Sequence, residues 1–369
     1  MAGATQGFLL IADISGYTGY LSTSELEHAR DTLAALLNVL VDGARPPFVV
    51  SKLEGDAVFS YSEDGKLLVG QTLVEMIEAI YVAFRRAIDL MVLNNTCGCN
   101  ACANVSSLDL KLLVHHGSFV IQQIGGHPEL IGSDVNLAHR LLKNSITSET
   151  GIRGYTAYTD DAIELIGRSL SEGMTRMVEA YEDVGEVVLW VADMHPVWEA
   201  RKDSQLVTLG PDQVDVEMSV EIDLPVEVVW DYLADPEFRN VLIGADRQEI
   251  IGKEQGRVST GSAYLCYHGD RVVRQLILEW KPFERIVTRD RIGMMGDTEI
   301  LDILELRSEG DRTVITQKVG SVSGPGYARL IAPLFLRMMR RVFQRDGDRF
   351  ARTIEDDHRD KTGEALVPA

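Results

Sequence analysis

Two acidic residues at the ends of short apolar segments are the first features of this sequence that could do chemistry. Asp13 follows Phe8-Leu9-Leu10-Ile11-Ala12, a continuous apolar run with the look of a strand buried on both faces. Asp56 lies in Glu54-Gly55-Asp56, between apolar segments at 46–50 and 58–61, and this turn chemistry predicts a hairpin. A hairpin beside the end of the first strand would bring the two carboxylates together, as hard oxygen ligands suited to Mg²⁺ or Mn²⁺. Transfer of a nucleotidyl group needs such a pair. Divalent metal holds the triphosphate and lowers the pKa of the attacking hydroxyl, and a cation meets the charge at the pentavalent phosphorus. Taken singly, each aspartate also reads as an ordinary loop or turn residue.

Asn136 and Arg140 stand at i and i+4 of a helix expected over 133–143, so they share a face and can reach one ligand. Gly132-Ser133 supplies the turn and cap before them. A surface helix with a polar stripe is the plainer reading of the same residues. Cys97, Cys99 and Cys102 place three soft ligands within six residues. A fourth, from His115, His116 or a partner subunit, would complete a tetrahedral zinc site; three reduced thiols in a tight loop are the alternative.

These residues must be positioned by elements of ordinary size. A chain of 369 residues exceeds what one core usually holds, which predicts two domains. The net charge of -20 argues against a nucleic-acid partner, although placed cations and a metal can still neutralise one triphosphate locally. No apolar run approaches the roughly 20 residues needed to cross a bilayer, and the first residues lack the basic and apolar regions of a signal peptide. A cytoplasmic protein with no transmembrane segment is expected.

Ser24-Glu25-Leu26-Glu27 fits a capping box, opening a helix to about residue 41 with Leu33, Leu36, Leu37 and Leu40 on one face. A long helix over 72–93, paired strands at 110–115 and 119–124 joined at Gly117, and a strand at 186–191 complete a mixed sheet with helices on one side. A linker is expected over 201–212. Beyond it, 214–222 alternates like a strand, and Pro225 opens a short helix containing Trp230 and Tyr232. Further strands lead to a long helix over 327–354. Its stripe of Leu330, Leu334, Phe335, Met338, Met339, Val342 and Phe343 reads as core or as cavity lining. Arg337, Arg340, Arg341, Arg345 and Arg349 make the other face basic, suited to solvent, to the other domain or to an anionic lipid surface.

Four segments in order carry a resemblance. Ala12-Asp13-Ile14-Ser15-Gly16-Tyr17-Thr18, Lys52-Leu53-Glu54-Gly55-Asp56, Val114-His115-His116-Gly117 and Gly132–Arg140 resemble the class III nucleotidyl cyclases, the adenylyl and guanylyl cyclase family. With the cysteine loop, the pattern looks like a poorly characterised bacterial (DUF2652-like) branch fused to a START-like domain. The resemblance implies an α+β chain, with a ferredoxin-like mixed sheet and helices over residues 1–200. It assigns Asp13, Asp56 and the Ile14 backbone to metal, and the backbone through Gly16, Tyr17 and Thr18 to phosphates. Lys52 and Glu129 fall where adenine-selecting members read the base, although Glu129 is one methylene longer than the usual aspartate. Asn136 would orient the ribose and Arg140 would stabilise the transition state, across a homodimer in which each chain lends half of the site. Glu54 departs from the family by taking a normally apolar position. Residues 213–358 resemble the START-like (SRPBCC, helix-grip) superfamily through their layout, Leu224–Trp230 and Trp280-Lys281-Pro282-Phe283. This implies a cavity for a hydrophobic small molecule or lipid, lined by Trp230, Trp280 and Met338, with a loose tail over 359–369. The function implied is a Mg²⁺- or Mn²⁺-dependent cyclase acting on a nucleoside triphosphate, ATP foremost. The alternative is a non-catalytic nucleotide-sensing or dimerising domain attached to a ligand-binding module.

Overall fold

The computed structural model describes residues 3–44, 46–67, 70–95, 97–124, 127–202, 207–253, 256–292, 298–324 and 326–363. The chain divides into two compact units, residues 1–66 with 73–204, and residues 67–72 with 205–369. Among the described residues, no helix is long and apolar enough to cross a membrane.

The first unit opens with β1 (Thr5–Ser15), α1 (Tyr17–Thr23), α2 (Leu26–Gly43), β2 (Val49–Glu54), β3 (Ala57–Glu63) and α3 (Gly70–Leu93). It continues through α4 (Asn100–Asn104), β4 (Asp109–Ile124), β5 (His127–Ile131), α5 (Ser133–Leu141), α6 (Ile146–Thr150) and β6 (Tyr155–Thr159). It closes with α7 (Asp160–Ile166), β7 (Thr175–Tyr181), β8 (Gly185–Asp193) and α8 (His195–Lys202). Strands run in the order β2-β3-β1-β4-β6-β8-β7, with β5 paired to β4. Within β1 to β4 this is the βαββαβ order of a ferredoxin-like sheet, and the parallel β4–β6 pair makes the whole sheet mixed. The apolar run in β1 is explained by its place. It lies between β3 and β4, and Leu9 and Ile11 pack under Val135 and Ala138 of α5.

Two local expectations are corrected. The capping box does not form, because Ser24 closes α1 and Glu25 takes the N-cap position of α2 without a side-chain cap. The Glu25 carboxylate instead accepts from the backbone of Ala101 at 3.1 Å and the side-chain amide of Asn100 at 3.3 Å, holding the start of α4. Gly117 is no turn between strands, since β4 runs unbroken through it and pairs it with Gly7. A Cβ on Gly117 would stand 2.6 Å from the Asp134 side chain, so glycine there lets the start of α5 lie on the strand. The Ser118 N–H donates to that same Asp134 carboxylate at 2.6 Å.

The second unit contains β9 (Val214–Ile222), α9 (Val226–Ala234), α10 (Pro236–Ile243), β10 (Arg247–Ile251), β11 (Ala263–His268) and β12 (Arg271–Lys281). Then follow β13 (Arg285–Ile292), β14 (Thr298–Glu309), β15 (Arg312–Ser323) and α11 (Gly326–Thr362). The antiparallel order β10-β11-β12-β13-β14-β15-β9 is a meander closed by the first strand. α11 packs on β9, where a Cβ on Gly347 would meet Val220 at 2.7 Å. Helix α11 extends to Thr362, beyond the expected end, and takes in the first residues of the expected tail. The expected stripe holds in part, since Phe343 packs against the buried residues of this unit. Leu334 is exposed, while Leu336, Phe350, Ala351 and Ile354 are buried. The side chains of Leu330 and Met338 lie outside the described residues.

Candidate functional site

The carboxylates of the first unit are brought together by strand pairing. Asp13 of β1 stands opposite Ala57 of β3, one residue from Asp56, and the Ile14 N–H donates to the Asp56 carbonyl at 3.2 Å. On the other side Asp13 faces Lys111 of β4, whose Nζ lies 3.2 Å from its carboxylate. Burial first, and then the charge of Asp13, push the Asp56 carboxyl above its ordinary value. That mutual repulsion, offset at Asp13 by one lysine, together with an all-oxygen donor set, fits a hard dication. Gly16 sits at the N-cap of α1 with φ 87°, a conformation that favours glycine, and a Cβ there would stand 2.9 Å from the Arg153 guanidinium. Tyr17 and Thr18 form the first turn of that helix.

Lys52 and Glu129, far apart in sequence, approach to 3.8 Å. Lys52 also pairs with Glu54 at 2.9 Å, and that hydrogen bond holds its ammonium above the ordinary lysine value. His139 Nδ1 meets the other oxygen of Glu54 at 3.1 Å, so the unusual acid at this position is held from two sides. Burial lowers the His139 pKa despite this neighbour, so the ring is neutral near pH 7. It lies against Phe59, ring centroids 4.8 Å apart.

Asn136 and Arg140 are not joined to this group. Arg140 donates to the Glu182 carbonyl and lies 3.8 Å from Asp183, in the turn between β7 and β8. Among the described residues, no hydrogen bond or ion pair links Asn136 or Arg140 to Asp13 or Asp56. One chain brings together the two carboxylates, and separately the two base-reading candidates, but not the helix α5 pair.

The three cysteines converge, but the histidine beside them is His28 of α2. His115 is buried and bonded through Nδ1 to Thr159 Oγ1 at 2.9 Å, and His116 meets Asp64 at 2.9 Å, so neither serves the cysteines. No local motif pointed to His28, which lies 69 residues before Cys97.

In the second unit Trp230 is fully buried, with Trp280 at 5.0 Å and Phe283 at 5.7 Å between ring centroids, inside the apolar core. The interior also holds polar groups that the sequence reading missed. Asp290 accepts from Gln275 and from Thr288, each at 2.7 Å, and Asp302 accepts from Gln317 at 2.7 Å. Both carboxyls are pushed up by burial, and Asp302 further by the charge of Asp290. The Arg239 guanidinium, 4 % exposed, lies 4.6 Å from the Tyr264 ring centroid, and its Nε and Nη1 have no hydrogen-bond partner. A signal existed in the alternation: Gln275 stands opposite Asp290, and Thr288 opposite Asp302, all at inward positions of otherwise apolar strands.

Residues 33–150 match a family described as a protein of unknown function (DUF2652), and residues 213–355 match the family of polyketide cyclase/dehydrase and lipid transport proteins. An uncharacterised protein of Mycobacterium tuberculosis is 28% identical over 169 residues, covering 44% of this chain and 76% of its own. The solved adenylyl cyclase CyaB from P. aeruginosa is 18% identical, at a TM-score of 0.39, over 52% of this chain and 96% of its own. A conserved protein from Geobacillus kaustophilus is 18% identical, at a TM-score of 0.30, over 38% of this chain and 95% of its own. The two family matches thus fall on successive segments of the chain, the DUF2652 model on the first and the polyketide cyclase/dehydrase and lipid transport model on the second.

Proposed function

We propose that the first unit is a metal-dependent nucleotidyl cyclase, converting a nucleoside triphosphate, ATP foremost, to its 3′,5′-cyclic monophosphate and pyrophosphate. One observation carries the reading: Asp13 of β1 meets Asp56, in the turn just before β3, close enough for the charge of one to raise the pKa of the other. A bound Mg²⁺ or Mn²⁺ supplies neutralisation of the triphosphate and a lower pKa for the 3′-hydroxyl. The chain supplies the rest. Asp13 and Asp56 hold the ions, and the backbone from Ile14 to Thr18 lies along the phosphates. Lys52, 3.8 Å from Glu129, donates to a ring nitrogen of the base while Glu129 accepts from its amino group. The 3′-oxygen bonds to the α-phosphorus as the bond from that phosphorus to the α,β-bridging oxygen breaks, pyrophosphate leaves, and the hydroxyl proton passes to solvent water. Asn136 and Arg140 of a second copy face this centre, Asn136 at the ribose and Arg140 at the developing charge, so the working unit is a homodimer. The second unit takes a hydrophobic molecule or lipid whose occupancy biases how the first units pair.

A second reading is favoured by one contact. Arg140 is already held by Glu182 and Asp183, as in a domain that binds nucleotide or dimerises without turnover. Purified protein incubated with each triphosphate and Mn²⁺, followed by mass spectrometry of the products, separates the two. Cyclic product that disappears in the Asp13→Ala, Asp56→Ala double variant supports the cyclase. Nucleotide binding without product from any triphosphate overturns it in favour of the sensor. Long-chain fatty acid added to the same assay changes the rate if the second unit regulates; an unchanged rate at saturation removes that step.

A further inference from the structure

Outside the nucleotide site, one cluster has the composition and spacing of a metal centre. The Sγ atoms of Cys97, Cys99 and Cys102 and a ring nitrogen of His28 all lie within 4.8 Å of one another. His28 Nδ1 is 3.1 Å from the Cys99 sulfur, 3.6 Å from that of Cys97 and 3.7 Å from that of Cys102. A tetrahedron with Zn–S near 2.3 Å and Zn–N near 2.0–2.1 Å has sulfur–nitrogen edges of about 3.5 Å. The observed separations bracket that edge, and one nitrogen faces three sulfurs as a tetrahedral corner faces the opposite triangle.

We propose that this chain binds one zinc ion through Cys97, Cys99, Cys102 and His28 Nδ1. The site is structural, because four protein ligands leave no open position for water or substrate. Three soft thiolates with one imidazole select zinc over the hard cations of the carboxylate pair. The ligand set is complete within one chain, so no partner residue is needed. Binding replaces the thiol protons by the metal, which leaves a centre of net charge −1 and releases protons to solvent.

The placement gives the ion a mechanical task. His28 comes from α2, Cys97 and Cys99 from the loop before α4, and Cys102 from α4 itself. α1 packs against both α2 and α4, and its first residues follow directly from Asp13 through Gly16. The same corner is tied by Glu25, which accepts from the backbone of Ala101 and the amide of Asn100. Zinc therefore clamps α2 to α4 around α1 and fixes the segment after Asp13. The clamp stands whether or not the first unit turns over nucleotide, because its readout involves none.

Zinc per chain is measured by plasma mass spectrometry on full-length protein purified under reducing conditions and reconstituted with ZnSO₄. A value near one is expected, falling to near zero in Cys99→Ser. In competition with a chromophoric chelator, His28→Ala weakens zinc binding by at least about a hundredfold, the upper range for loss of a mere outer-shell partner. His116→Ala leaves it unchanged. His28→Cys, which restores a four-ligand site, regains stoichiometric zinc and separates loss of a ligand from failure to fold. A wild-type value near zero overturns the proposal, and so does His28→Ala with undiminished zinc affinity.

Discussion

Each unit carries a pair of aspartates brought together by strand pairing, and the two pairs are in opposite situations. Asp13 and Asp56 sit where β1 ends and β3 begins, with Lys111 as the cation beside them. Asp290 and Asp302 sit in mid-strand, diagonal to each other across β13 and β14. Their oxygens are already taken by Gln275, Thr288 and Gln317, and Arg239 lies near enough to lower both pKa values. In each pair one carboxylate raises the pKa of the other. The difference lies in who compensates the charge. A pair at a strand end can take its compensation from an ion in solution, whereas an interior pair must find it in the protein. The first arrangement suits catalysis and the second suits holding a polar group inside an apolar unit.

One substitution made in both places separates them most widely. Asp56→Asn is expected to lower cyclic-product formation by roughly a thousandfold or more, since the metal contribution is several kcal/mol. It should leave the thermal midpoint level or slightly higher, because it removes a carboxylate that burial and Asp13 disfavour. Asp290→Asn should leave the chemical step intact and change hydrogen exchange in β13. Activity lost with Asp290→Asn and kept with Asp56→Asn would reverse the assignment of the two pairs.

The next largest effect is on stability. Arg239→Met removes the positive charge that lowers the pKa of buried Asp290 and half-buried Asp302 and should destabilise the second unit by roughly 1–3 kcal/mol. Hydrogen exchange of peptides from β12 to β14 localises the loss to that unit. Slower exchange in the variant would mean that Arg239 is itself the strained partner, its free Nε and Nη1 outweighing what it gives the acids.

The contrast also explains what could be read before the structure. The first unit's mixed sheet was legible from its apolar runs and turns, and so was the meeting of Asp13 with Asp56, whereas the helix pair Asn136 and Arg140 stays apart from them in one chain. The second unit was legible as layout, an alternating strand at 214–222 and a long last helix, but its polar interior was not. Gln275, Asp290 and Asp302 look like ordinary surface residues until strand register places them inward. His28 escaped for a related reason, since a histidine on the exposed face of a helix acquires meaning only when a loop 69 residues later folds onto it. The capping box at Ser24 failed because Glu25 found a better use, holding the start of α4. Local rules are overridden where a distant backbone donor competes.

A pH series tests the interior pair from another side. Burial raises Asp290 from 3.8 to about 6 and Asp302 from 3.8 to about 7. Between those limits the folded state keeps protons that the unfolded chain has lost, so the stability of this unit falls as pH rises from about 4 to about 7. Asp302→Asn removes one titrating group and should flatten that fall. Exchange rates in β14, compared between variant and wild type at each pH, read the difference directly. Equal slopes would show that Asp302 is ionised in the folded unit and compensated throughout.

The smallest effect belongs to the pair at the proposed base-reading position, and it distinguishes recognition from stability. Lys52 and Glu129 are more than a third exposed at the side chain, at 34% and 39%, so their ion pair is worth at most about 1 kcal/mol to the fold. In the proposed cyclase their value lies in what each would offer a base, a donor beside an acceptor. Lys52→Ala and Glu129→Ala should each narrow the preference for ATP over GTP by about tenfold, the low end of what one lost hydrogen bond in a binding site commands. The thermal midpoint should hardly move. Glu54 sharpens the test, because it competes for the same ammonium at 2.9 Å. With Glu54→Gln, Lys52 is released toward Glu129, and the base preference should widen rather than narrow. A preference indifferent to all three substitutions would leave Lys52 and Glu129 as a surface ion pair, and base selection would have to come from elsewhere in the sheet.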